Sequence, residues 1–216
     1  MSDDWFRRTT WSPGDSAAFQ ARLARSRSAS NRAQYLRIQA VTLAAVGTPA
    51  MMRAALALLE QLFTEVPEPL QLAPAWHLRA QCLSALGAVD EALYAYDACF
   101  NAQRALPTVR TTAHGDYAEL VTMLRRRDRY SDVLACLDEF GTEELFPAQR
   151  YQQAASRALI AAETGDAVAA SAYARAALAE TARVEPPFPR HRDLGLVRSV
   201  DPERQARLQA LATGLA

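Results

Sequence analysis

The chain has 216 residues, half of them hydrophobic, with 24 basic against 24 acidic side chains and zero formal net charge. A chain this long buries roughly 70% of its unfolded surface and folds without disulfide staples. Its neutrality removes the overall pull toward nucleic acid or an anionic membrane, and no apolar run approaches the ~18 residues of a membrane span. Heavy alanine use and few β-branched residues favour helix throughout. All 24 basic residues are arginine. With the alanine excess this reads as the codon usage of a GC-rich genome, and bidentate recognition of carboxylate or phosphate is the functional reading.

In chain order, the opening MSDDWFRRTTWS carries Trp5, Phe6 and Trp11 outside any helical period. Exposed aromatics are costly, so the trio is expected to dock on the first helical pair or on a neighbouring copy. The start Ser2, Asp3 and Asp4 is wrong for a signal peptide. Ser12 before Pro13, with Asp15 in the first turn, starts a capping helix over about 13–27 whose buried side holds Phe19 and Leu23. Arg22, Arg25 and Arg27 sit at its end, where RSRSASN (25–31) breaks the helix. They read as a solvated helix end, with a phosphate or nucleic-acid patch as the alternative.

A two-helix pattern follows and recurs. In APAWHLRAQCLSALGAVDEALYAYDACFNAQ (73–103), Trp76, Ala80 and Leu83 share one helix face, Gly87 stands at a turn, and Ala92 and Tyr96 face back from a second helix. Moving back by 40 gives Leu36, Ala40, Leu43, Gly47, Met52 and Leu56. Moving forward by 41 gives Tyr117, Val121, Leu124, Asp128, Val133 and Leu137, and by 78 gives Ala154, Ala158, Ala161, Gly165, Ala170 and Ala174. Gly47, Gly87, Asp128 and Gly165 are turn positions that need a residue tolerant of left-handed or tight backbone. The four copies run over about 32–66, 72–104, 109–140 and 147–183, with PEPLQL (67–72) and ALPTVRTT (105–112) as connections. Three prolines keep VEPPFPRHRDLGLV (184–197) from being helical throughout, so it is expected to lie extended. Asp201-Pro202-Glu203 then starts a closing helix whose Leu208 and Leu211 cover the last pair.

Chemistry-bearing motifs are sparse. His77, His114 and His191 are scattered, with no HExxH, CxxC, GxSxG or glycine-rich phosphate loop, and Cys82, Cys99 and Cys136 lack metal-ligand spacing. An odd cysteine count without a secretory signal fits reduced thiols in a cytoplasm. A His114–Asp116 pair reads as a helix cap before it reads as a proton carrier. The expectation is therefore no enzyme, no metal and no cofactor.

The recurring residues resemble the tetratricopeptide repeat, although spacings of 40, 41 and 37 exceed its roughly 34 residues. The resemblance implies an all-α fold: a right-handed α-solenoid of about four irregular helix-turn-helix repeats with N- and C-terminal capping helices. Residues 1–31 would form the aromatic segment and first cap, 32–183 the repeats, and 184–216 the extended segment and closing helix, all one continuous domain. In that family the first helix of each repeat lines a concave groove. Carried over residue by residue, the groove would be lined by Gln34, Arg37, Val41, His77, Gln81, Ser84, Thr122, Arg125 and Arg126, with Gln152 and Leu159 from the last copy. Family members that clamp acidic chaperone tails carry a lysine and an asparagine where this chain has Arg37 and Val41, so the charge is kept and the amide donor is missing. DWFRRTTW (4–11), AQYLRIQA (33–40) and RHRDLGLV (190–197) also resemble an uncharacterised group of bacterial helical-repeat proteins, which implies no activity.

Together these readings give a cytoplasmic, non-catalytic adaptor or scaffold that docks a protein or peptide in its groove, with arginine donors fixing a polar or acidic ligand. The alternative is a self-assembling homo-oligomer joined through Trp5, Phe6 and Trp11. Ranked below it is a nucleic-acid binder using Arg22, Arg25, Arg27, Arg125 and Arg126.

Overall fold

The computed structural model describes residues 4–142, 144–185, 188 and 194–214. Among them every regular element is helical: ten α-helices and one short 3-10 turn. His191 and much of the proline-rich stretch expected to run extended lie outside the described residues. The chain gathers into two compact units, Met1–Ala113 and His114–Ala216.

In the first unit, helix α1 (Pro13–Leu23) starts as its sequence dictates. Ser12 Oγ accepts the Asp15 amide at 3.1 Å and the Asp15 carboxylate accepts the Ser12 amide at 3.0 Å, closing a capping box ahead of Pro13. Those bonds, the Ser12 backbone donor foremost, hold the Asp15 carboxyl down at about 2. Phe19 and Leu23 face inward, and the N-terminal aromatics close over them. Trp5 lies 5.2 Å from Phe19 and 5.0 Å from Tyr35, Phe6 4.8 Å from Tyr35, and Trp11 5.5 Å from Phe19, between ring centroids. Fully buried Gln39 pins the same segment: its Oε1 accepts the Arg8 amide at 3.0 Å and its Nε2 donates to the Arg8 carbonyl at 2.7 Å.

Two helical hairpins complete this unit. Helices α2 (Ala29–Ala44) and α3 (Pro49–Glu65) pair with each other, as do α4 (Pro69–Ala85) and α5 (Val89–Ala105), and α4 also touches both α2 and α3. Gly47 and Gly87 turn the hairpins with φ of 81° and 79°, which costs glycine nothing and any other residue about 1 kcal/mol. Thr48 caps α3 ahead of Pro49. The start of α4 departs from the expected connection over 67–72, because the helix already begins at Pro69 and carries Pro74 inside it. A proline at the first position costs a helix nothing, whereas Pro74 forgoes one intrahelical bond. Trp76 is partly buried rather than central. It stacks on Phe63 of α3 at 4.0 Å and meets Tyr94 of α5 edge-on at 6.2 Å.

The second unit holds most of α6 (Ala113–Met123), the 3-10 turn Arg127–Arg129, and helices α7 (Tyr130–Phe140), α8 (Pro147–Thr164), α9 (Ala167–Thr181) and α10 (Pro202–Thr213). Helices α8 and α9 are alanine-rich where they face each other, with Ala155, Ala158, Ala174 and Ala177 fully buried. Leu208 of α10 is fully buried in the same cluster, with Val197, Val200 and Leu211 packed around it. Gly165 turns this hairpin at φ 87°.

The α6–α7 step corrects the sequence reading. The left-handed residue is Arg125 at φ 50°, not Asp128, which lies in the 3-10 turn. Gly87 and Arg125 are 38 residues apart, but Ala92 and Val133 are 41 apart, and the three-residue excess is the turn Arg127–Arg129. A single 41-residue shift therefore places α6 three residues late. Leu124, expected inside, is 45% exposed, while Ala118 is fully buried.

Candidate functional site

In the first unit, α2 and α4 touch each other and present the residues expected to line a groove. Gln34, Arg37 and Val41 recur at helical spacing along α2, as do His77, Gln81 and Ser84 along α4. Gln34, Val41 and Gln81 are exposed, Arg37 and Ser84 partly buried. The His77 ring lies beside Tyr96 of α5, 6.3 Å between centroids, on the α4–α5 side.

Arg37 gives this face its chemistry. Its Nε donates to Gln71 Oε1 at 2.5 Å, so a neutral amide from α4 aims the guanidinium. No described carboxylate lies within ion-pair distance of it, and burial pulls its pKa below the usual guanidinium value. A partly desolvated cation held by a neutral acceptor keeps donors for an incoming anion. Gln71 was not legible as a site residue, because it falls in the segment read as a connection.

The second unit treats its expected groove residues differently. Thr122 is buried and its hydroxyl donates back to the Ala118 carbonyl at 2.7 Å, so it does not face a ligand. Arg126 reaches Asp128 at 3.2 Å. Arg125 lies 3.7 Å from Glu163, which also receives Arg127 at 3.1 Å, Arg207 at 3.2 Å and the Tyr130 hydroxyl at 2.8 Å. Burial works to raise the Glu163 pKa, but the bonds from Tyr130, Arg127 and Arg207 outweigh it and hold the carboxyl below its usual value. Burial first, and then the contact with Glu163, push the Tyr130 phenol up to about 12. These arginines are occupied within the chain.

A buried polar network in this unit escaped sequence reading. His114 Nε2 lies 2.6 Å from Glu144, not on Asp116, and Gln153 donates to the same carboxylate at 3.1 Å. Gln152 donates to Asp116 at 3.2 Å and to Glu119 at 2.7 Å. Arg204, only 6% exposed, comes from α10 to meet Glu119 at 2.6 Å and Ser156 at 3.2 Å. Partners 30 and 85 residues apart leave no local pattern to find. The network ties α10 and the α7–α8 connection to α6 and α8.

The remaining candidates fall as follows. Trp5, Phe6 and Trp11 pack against the buried cluster of their own first unit and each stays partly exposed. Exposed Arg22 and Arg25 flank an open recess of about 410 Å³ with Trp5 and Tyr35, and Arg27 is exposed beyond them. All three thiols are buried, and burial pushes those of Cys82 and Cys99 up to about 11, far from a reactive thiolate. Among the described residues no group of three His, Cys, Asp or Glu side chains is placed to hold a metal ion, and no helix is long and apolar enough to cross a membrane.

No protein-family model, curated protein or solved structure matches the chain.

Proposed function

We propose that the chain is a non-catalytic binding module of tetratricopeptide-like hairpins, which docks a protein or peptide segment on the α2–α4 face of its first unit. The observation that carries this reading is Arg37: a partly buried guanidinium, aimed by Gln71, with no described carboxylate beside it. The partner it fits brings an acidic side chain or a chain-terminal carboxylate to Arg37. Exposed Gln34 and Gln81 supply amide donors and acceptors, and Val41, 41% exposed, supplies apolar contact. The hairpin turns at Gly47 and Gly87 support the repeat reading.

A peptide array with acidic and neutral sequences, each with free and amidated C-termini, tests it. Acidic or free-carboxylate peptides are expected to be retained by the wild-type chain. Arg37→Gln, with unchanged thermal midpoint, is expected to weaken them about 10-fold or more, the range of a charged hydrogen bond. Retention indifferent to peptide charge, or unchanged in Arg37→Gln, would overturn the reading.

A further inference from the structure

A second cation in the first unit also lacks a described carboxylate beside it, in a different place. Arg32, in the first turn of α2, lines a recess of about 340 Å³ between α1, α2 and α3. Its Nε is buried and has no hydrogen-bond partner, and no described side chain pairs with its guanidinium. Leaving a charged donor partly desolvated and unpaired is unfavourable, and the first turn of a helix is the wrong end for a cation. Neither feature helps the fold. Both are relieved by an anion bound in the recess.

The walls define that anion further. Leu23, Leu36 and Val66 form a nearly closed apolar floor beneath the recess and exposed Ala24 adds to its wall, so the part of the ligand beyond its charge meets hydrocarbon. The volume suits a small molecule and not a folded segment. Gln20 and Gln61 also line the recess, bonded to each other at 2.8 Å and 3.2 Å, and Gln61 donates in addition to Glu65 at 3.0 Å. Glu65 lines the same recess without a described ion pair to Arg32, and its charge opposes a dianionic ligand about twice as strongly as a monoanionic one. We infer that the recess between α1, α2 and α3 is a binding site for a small monocarboxylate with an apolar body, its carboxylate taken by Arg32.

Titration of the isotope-labelled full chain with benzoate, benzamide and phenyl phosphate, each to about 20 mM, tests this by NMR, small ligands of this size binding weakly. Benzoate is expected to shift the methyl signals of Leu23, Leu36 and Val66 saturably, with benzamide and phenyl phosphate weaker by about 10-fold. Arg32→Gln should abolish the benzoate response without lowering the thermal midpoint, while Arg37→Gln leaves it intact, so this site and the α2–α4 face stand or fall separately. No saturable shift from any probe would overturn the inference, as would equal responses to benzoate and benzamide or a benzoate response that survives in Arg32→Gln. Tighter binding of phenyl phosphate would overturn the assignment to a monocarboxylate.

Discussion

Arginines serve opposite ends in the two units. In Met1–Ala113, Arg8 and Arg79 pair with Asp15 and Glu60, but Arg32 and Arg37 are left partly buried without a described carboxylate. In His114–Ala216, Arg204 meets Glu119, Arg150 meets Glu180, and three arginines gather on Glu163. The first arrangement leaves charge for a ligand, and the second uses charge to hold helices together. An arginine in a sequence is therefore no binding residue until its partners are known.

The sharpest way to break this comparison is to remove one buried arginine from each unit. Arg204→Met strips partners from Glu119 and Ser156 and should cost about 2 kcal/mol, less than a fully buried pair because the Glu119 side chain stays 37% exposed. Arg32→Met should leave stability within about 0.5 kcal/mol of wild type, since nothing described is bonded to that guanidinium. Urea unfolding of both variants checks this, and equal losses would dissolve the contrast.

Next in size, Gly87→Arg in the first unit should cost about 1 kcal/mol, purely from the backbone, because its φ is 79° and nothing stands within 4 Å of an added Cβ. Arg125→Gly in the second unit should change stability by less than about 0.5 kcal/mol. Relief at φ 50° is offset by the added freedom of the unfolded chain, and the exposed contact to Glu163 is worth little.

The smallest effects lie in acid. Asp15 and Glu163 both have lowered folded pKa values, so each stabilises the fold above its unfolded value, 3.8 and 4.5 respectively, and loses that share as pH falls. For Asp15 the loss runs from pH 3.8 down to about 2. Asp15→Asn should flatten the acid limb of the first unit and Glu163→Gln that of the second, read by circular dichroism against pH. An unchanged limb in either variant would contradict the assigned contacts.

Much of the secondary structure was legible in local chemistry. Ser12-Pro13 and Asp201-Pro202 begin helices because a capping side chain precedes a residue with preset φ, and Gly47, Gly87 and Gly165 turn left-handed as placed. What failed locally was PEPLQL, where proline punctuation masked the first turn of α4, and the α6 register, where a short 3-10 turn hid behind Arg125. The chemistry of the site was far less legible. Arg37 was placed by resemblance alone, Gln71 not at all, and Thr122 wrongly: even at the 38-residue spacing it matches Ser84, but its hydroxyl is buried and turned back onto the Ala118 carbonyl. Pairs such as Arg204–Glu119 depend on which helices meet, and no spacing along the chain encodes that.

The most direct test of the account is a fluorescence titration of wild type, Arg37→Gln and Arg125→Gln with a pool of acidic octapeptides bearing free C-termini. Saturable binding is expected for wild type and Arg125→Gln alike, with a loss of about 10-fold or more in Arg37→Gln at unchanged thermal midpoint. Binding that survives in Arg37→Gln but falls in Arg125→Gln would contradict it, placing the site on the arginines of the second unit instead.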